Sequence, residues 1–169
     1  MEALPQDLGS QHVEAFRLFV LNWKKLELHS IAVMKKDPWL PGEIQQSICS
    51  HVPHHGFLKP EAACGCGIWS CKSRKALNQT FLGLAQSIVN PRPQNYGDWL
   101  LTSVLPRKQR CGPFYISARV EQWGAVIEHE LGYRSEYARI KPQTIQVWPR
   151  RNNKRYHALV AELRRKYSA

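Results

Sequence analysis

Tyr115-Ile116-Ser117-Ala118-Arg119-Val120-Glu121-Gln122-Trp123-Gly124-Ala125-Val126-Ile127-Glu128 is rich in β-branched and aromatic residues and contains no proline. It reads as two successive strand segments, 115–121 and 123–128, with Gly124 at a bend or bulge where a side chain would clash. Tyr137-Ala138-Arg139-Ile140 predicts a further strand. Upstream, Phe16 to Val33 reads as two strands joined at the polar turn Asn22 to Lys25, with alternation in Leu26-Glu27-Leu28-His29. Asp37-Pro38-Trp39-Leu40-Pro41-Gly42 cannot continue a ladder, since two prolines remove donors and glycine favours a turn. A short helix is expected over Glu43 to Cys49, and His51 to Cys71 has neither helical nor strand period. Leu77, Phe81, Leu84, Ala85 and Ile88 share one helical face, predicting a central helix over 74–89 that Asn90-Pro91-Arg92-Pro93 stops. After Trp148-Pro149, Asn152 is placed to cap a terminal helix with the apolar line Tyr156, Leu159, Val160 and Leu163. These elements predict an α+β fold, with a small curved β-sheet or partly open barrel built from 16–33 and 114–148. A single domain is expected over 1–169, with a Cys/His-rich loop insertion at 43–72 and a basic C-terminal helix at 150–169.

Length and composition agree with one domain. The chain has 169 residues, 43% hydrophobic residues and six tryptophans, enough for a core, and 22% charged residues. Its formal net charge is +11 and its pI is near 9.7. Charge of that size opposes folding by self-repulsion unless a polyanion neutralises it, so a nucleic acid is the expected partner. No stretch reaches the roughly 18 apolar residues that span a bilayer, and Met1-Glu2-Ala3-Leu4-Pro5-Gln6-Asp7 lacks the pattern of a signal peptide. The expectation is a cytoplasmic protein that does not engage membranes.

Five cysteines stand at 49, 64, 66, 71 and 111, four of them in one window beside His51, His54 and His55. In a chain without an export signal, that clustering points to metal or plain thiols before disulfides. Zinc takes about four nitrogen or sulfur ligands, and the Cys64-Gly65-Cys66-Gly67 turn can aim two thiolates at one ion. The preferred set is Cys49, His55, Cys64 and Cys66, with His54 able to replace His55 and Cys71 in reserve. Four protein ligands would make such a zinc structural. The alternative is buried thiols beside exposed histidines.

Glu128-His129-Glu130, with Glu136 nearby, invites an acid/base or deaminase-like reading. A zinc deaminase places its His-x-Glu ahead of a Pro-Cys-x-x-Cys, which this chain lacks. On a strand, Glu128 and Glu130 share one face and His129 the other. No Ser elbow, phosphate-cradling glycine loop or His-Glu-x-x-His occurs. The chain is therefore expected not to be an enzyme.

From Arg134 onward the basic residues are Arg134, Arg139, Lys141, Arg150, Arg151, Lys154, Arg155, Arg164, Arg165 and Lys166, against Glu136 and Glu162 alone. Arginine forks suit phosphates, and Trp69, Trp123, Tyr133, Trp148 and Tyr156 offer faces on which bases stack if exposed. Arg107, Lys108 and Arg110 form a second basic patch. The competing reading is a solvated helix face with the aromatics in the core. The expected nucleic-acid contacts are Arg107, Lys108, Arg110, Arg134, Arg150, Arg151, Lys154 and Arg155, with a base pocket near Trp69, Trp123 or Tyr133.

Two stretches, Cys64-Gly65-Cys66-Gly67-Ile68-Trp69 and Val120 to Ala138, resemble a family of functionally uncharacterised small bacterial and phage proteins. Its members carry a Cys-x-Cys-Gly-Ile-aromatic run ahead of Trp-Gly-x-Val…Glu-His-Glu-x-Gly-aromatic-Arg-x-Glu-Tyr-Ala. A Trp-x-Pro-Gly and a Cys lie upstream, here Trp39 to Gly42 and Cys49. The resemblance implies that these segments share one domain and implies no reaction. The short-strand pattern also looks like the small PUA, ASCH and EVE barrels, so a PUA-like or SH3-like barrel is expected. The leading expectation is a nucleic-acid-binding module. The alternatives are an accessory or inhibitory protein–protein module in a nucleoprotein complex, and a zinc hydrolase or nuclease using Glu128, His129 and Glu130.

Overall fold

The computed structural model describes residues 6–7, 11–31, 38–47, 60, 66–80, 115–148 and 154–168. Chain order is β1 (Gln6–Asp7), β2 (Val13–Asn22), β3 (Glu27–Ser30), β4 (Gln45–Gln46), β5 (Ile68–Cys71) and a helix α1 whose described part is 74–80. Then come β6 (Tyr115–Glu128), β7 (Gly132–Ile140), a 3-10 turn (Pro142–Thr144), β8 (Gln146–Trp148) and α2 (Lys154–Tyr167).

Four strands close on themselves. β2 pairs antiparallel with β6 and β5, β7 pairs with β5, and β6 pairs with β7, so β2, β5, β7 and β6 form a ring. The fold is α+β with a small closed antiparallel barrel, extended by β3 on β2, β8 and β1 on β6, and β4 on β7. Closure removes the open edges that a flat sheet would present.

The 115–128 region is one strand of 14 residues. Its register against β7 shifts between Trp123 and Val126, and Gly124 sits at φ +78. The bulge predicted at that glycine is present. A side chain there would strike Glu136 and Tyr137, and Glu136 Oε2 accepts from Ala125 N–H at 3.3 Å. β7 begins five residues ahead of the strand expected at 137. The hairpin expected in 16–33 forms as β2 and β3, around residues 23–26. Residues 45–46, expected in a helix, instead form β4, pairing Gln45 with Ala138 and Gln46 with Tyr137. The open edge of β7 supplies partners that a stretch without helical periodicity cannot supply to itself, and Ser47 N–H continues the ladder to Glu136 O at 2.7 Å. The described part of the 43–72 segment thus contributes β4 and β5, and β5 closes the ring.

α1 starts where Ser73 Oγ accepts from Ala76 N–H at 3.1 Å, an N-cap, and it buries Ala76 and Leu77. The remainder of the helix predicted to 89 lies outside the described residues. α2 buries Leu159, Leu163 and Tyr167, with Tyr156 and Val160 packed beside them, close to the line read from sequence. These join Phe19, Leu28, Trp39, Ile116, Val120 and Ile145 in one core. No described helix is long and apolar enough to cross a membrane.

Candidate functional site

A cavity of about 270 Å³ opens between β2, β5, α1 and the β6–β7 hairpin. Phe16, Leu18, Trp69, Leu77 and Leu131 give it apolar walls. Trp69 is 42% exposed although it sits mid-strand. Its indole stacks on His129, with ring centroids 4.9 Å apart, and the Arg134 guanidinium lies 5.1 Å from the indole centroid. β5 pairs Trp69 with Arg134 on β7, which sets the two side by side.

Arg134 is 1% exposed. Its Nε donates to His129 Nε2 at 2.6 Å, and Nη1 donates to the Cys66 carbonyl at 2.9 Å. Burial, with Arg134 and then Lys72 nearby, holds the His129 pKa below its usual 6.5. A neutral imidazole accepting at Nε2 carries its proton on Nδ1. Arg134, expected on a phosphate-contacting surface, is thus enclosed and locks the Trp69 platform in place.

The second buried arginine was not singled out by sequence. Ala15, Arg17, Phe19 and Leu21 alternate along the inward face of β2, and all are buried. Arg17 is 6% exposed and stands in the cavity wall. Its Nη1 donates to Trp69 O and its Nη2 to Ser30 Oγ at 2.9 Å, while the Phe19 and Trp39 rings flank it at 5.9 and 5.2 Å. The buried Nε has no hydrogen-bond partner. Burial lowers the Arg17 pKa to about 10, so the group stays cationic at neutral pH. The Cys71 thiol acts on it electrostatically, and burial pushes that thiol above its usual 9.0 and leaves it neutral. Among the described residues no carboxylate lies within 4 Å of Arg17. A signal was present, since Arg17 stands inside Phe16-Arg17-Leu18-Phe19-Val20. Its burial depends on β5, whose pairing no local pattern announces.

Trp123 and Tyr133 are partly buried. Trp123 stacks with His12 at 5.8 Å and with Tyr137 at 6.0 Å, and the Lys72 ammonium lies 5.6 Å from the Tyr133 centroid. Glu128 pairs with Lys72 at 2.6 Å, His129 faces Arg134, and Glu130 is exposed in the hairpin, so the three do not converge. Of the ligand set Cys49, His55, Cys64 and Cys66, only Cys66 is described. Among the described residues no three His, Cys, Asp or Glu side chains group to hold a metal.

Comparison with protein-family models, curated proteins and solved structures finds no match to this chain.

Carboxylates neutralise the cations Arg119, Arg139 and Lys141. Arg119 and Lys141 share Glu14, and Arg139 bonds Glu121 at 2.9 Å. The Lys141 hydrogen bond holds Glu14 below the usual carboxylate range, and Arg139 does the same for Glu121. The outer surface of α2 differs. Lys154 and Arg165, and Lys24 and Lys25 in the 23–26 turn, are exposed and have no carboxylate within 4 Å among the described residues. At 3.6 residues per turn, positions 154 and 165 fall about 20° apart around the axis and about 16 Å apart along it. Lys166 Nζ donates to Lys25 O at 2.8 Å, which joins the end of α2 to that turn. Arg164 is consumed structurally, donating from Nε and Nη2 to Ile145 O at 3.2 and 3.0 Å. Arg107, Lys108, Arg110, Arg150 and Arg151 lie outside the described residues.

Proposed function

We propose that this protein is a cytoplasmic nucleic-acid-binding module and not an enzyme. It grips the phosphate backbone through Lys154 and Arg165 on α2 and Lys24 and Lys25 on the adjoining turn, with Trp69 as a stacking platform. The observation that carries this reading is the division of charge. The exposed strand cations Arg119 and Arg139 have carboxylate partners, whereas Lys154, Arg165, Lys24 and Lys25 have none within 4 Å among the described residues, in a chain of charge +11. Such cations release counterions when they meet phosphates. Trp69, half-exposed and fixed from behind by His129 and Arg134, offers an aromatic surface whose ordering precedes binding.

The test is a titration with labelled single- and double-stranded DNA and RNA over a range of salt. Binding is expected to weaken steeply with salt. Each contacting cation changed to alanine, in the series Lys24, Lys25, Lys154 and Arg165, should lower the log–log slope by about 0.9 on duplex DNA or about 0.7 on single strands. Trp69→Ala should weaken single-strand binding without changing that slope. Failure to bind any of the four nucleic acids at low salt would overturn the reading in favour of a protein partner.

A further inference from the structure

We infer that the turn at 23–26 is a site for single-stranded nucleic acid, in which Trp23 stacks on an unpaired base while Lys24 and Lys25 meet the phosphates beside it. This rests on the nucleic-acid reading above and adds to it a base-contacting residue and a strandedness. Along β2 the odd positions Ala15, Arg17, Phe19 and Leu21 turn inward and are buried, and Trp23 follows in the same phase. Pairing with β3 ends at Asn22 and Glu27, so Trp23 falls beyond the ladder, and its side chain is left 52% exposed. The turn holds a different side chain inward. Leu26, alone among the described non-glycine residues, has a positive φ, at +52, and it packs against the core. Trp23, Lys24 and Lys25 are thereby presented outward. The turn is also tied down, since Lys166 Nζ donates to Lys25 O at 2.8 Å and Leu28 N–H donates to the Tyr167 hydroxyl at 2.9 Å. A flat ring fixed beside two cations matches a chain of bases and phosphates. Stacking needs only a π face, which an unpaired base presents and a paired base keeps inside its duplex. The lysines supply charge without the forked geometry that reads a base edge, so no sequence preference is expected at this turn. An anionic membrane would attract the same lysines, but a turn that dips into lipid presents its apolar residues, and here Leu26 is withdrawn into the core.

The full chain is titrated with labelled oligothymidylate and oligouridylate of about ten nucleotides, and with duplex DNA and RNA. Trp23→Ala should weaken binding of the tighter homopolymer about fivefold or more, and Trp23→Phe should restore most of that loss. Neither variant should change the salt slope or the binding of duplex. Irradiation of the unmodified protein with the same homopolymer carrying 5-iodouracil should crosslink Trp23, a readout that does not depend on a variant folding. If the unmodified protein binds none of the four, the nucleic-acid reading fails and takes this inference with it. If it binds them and Trp23→Ala holds the homopolymer as tightly as the parent, or loses duplex binding to the same extent, this inference alone is overturned. Crosslinks confined to other residues also overturn it. Trp23-dependent binding to phosphatidylserine vesicles, with no binding to either homopolymer, would assign the turn to a membrane surface instead.

Discussion

A side chain at position 132 has nowhere to go. A Cβ built on Gly132 falls inside the van der Waals sphere of the Ser70 carbonyl oxygen, which is backbone in the paired strand β5 and cannot swing aside. Gly132→Ala should therefore cost at least about 3 kcal/mol in urea unfolding, near the upper range for single substitutions. Gly124 was legible as a bulge because a glycine interrupts a β pattern. Gly132 was not, because its need arises from a strand 60 residues earlier in sequence. His129 carries a different prediction. Its folded-state pKa is depressed, so below pH about 6.5 the unfolded chain binds the proton more readily, and stability should decline as pH falls through the folded value. His129→Gln keeps an acceptor for Arg134 and removes the proton site. Its thermal denaturation midpoint should show a flatter slope between pH 7 and pH 5 than the parent, and an unchanged slope would count against this role.

Helix α2 is anchored by its last residues. The Tyr167 hydroxyl donates to Trp39 O at 2.7 Å and accepts from Leu28 N–H at 2.9 Å, both buried. Tyr167→Phe strands both backbone groups and should cost about 1–3 kcal/mol by chemical denaturation. Burial raises the Tyr167 pKa to about 12. A raised folded-state value leaves the contribution intact below pH 10 and removes it as pH climbs towards 12, so Tyr167→Phe should blunt the alkaline loss of stability. The apolar line of α2 was readable because helical periodicity is a local signal. Ser73 as the cap of α1 was missed although serine favours that position, and β4 was misread because its reason for being a strand is the edge of β7. Short strands of two to four residues carry too little pattern to read, and here they include β5, on which both the cavity and Trp69 depend.

At the scale of the molecule, charge and closure pull in opposite directions. The excess positive charge was plain from composition, but composition does not say that Arg119 and Arg139 meet carboxylates while Lys154 and Arg165 on the α2 surface meet none among the described residues. If that surface binds nucleic acid, the ligand should raise the denaturation midpoint with increasing concentration, and added salt should cancel the shift. A midpoint indifferent to nucleic acid would separate the charge from any such role. Closure governs how the chain reaches this state. The β6–β7 hairpin needs only the turn at 129–132, where His129 N–H meets Gly132 O at 2.8 Å, and can form early. β5 cannot. It joins partners far along the chain on both sides: Arg17 and Trp69 are 52 residues apart, and Ile68 and Gln122 are 54. The entropy of closing both loops is spent before four residues of pairing return anything. Insertion of the last stave is then the slow step of folding, and until it happens Arg17 faces water rather than the barrel interior.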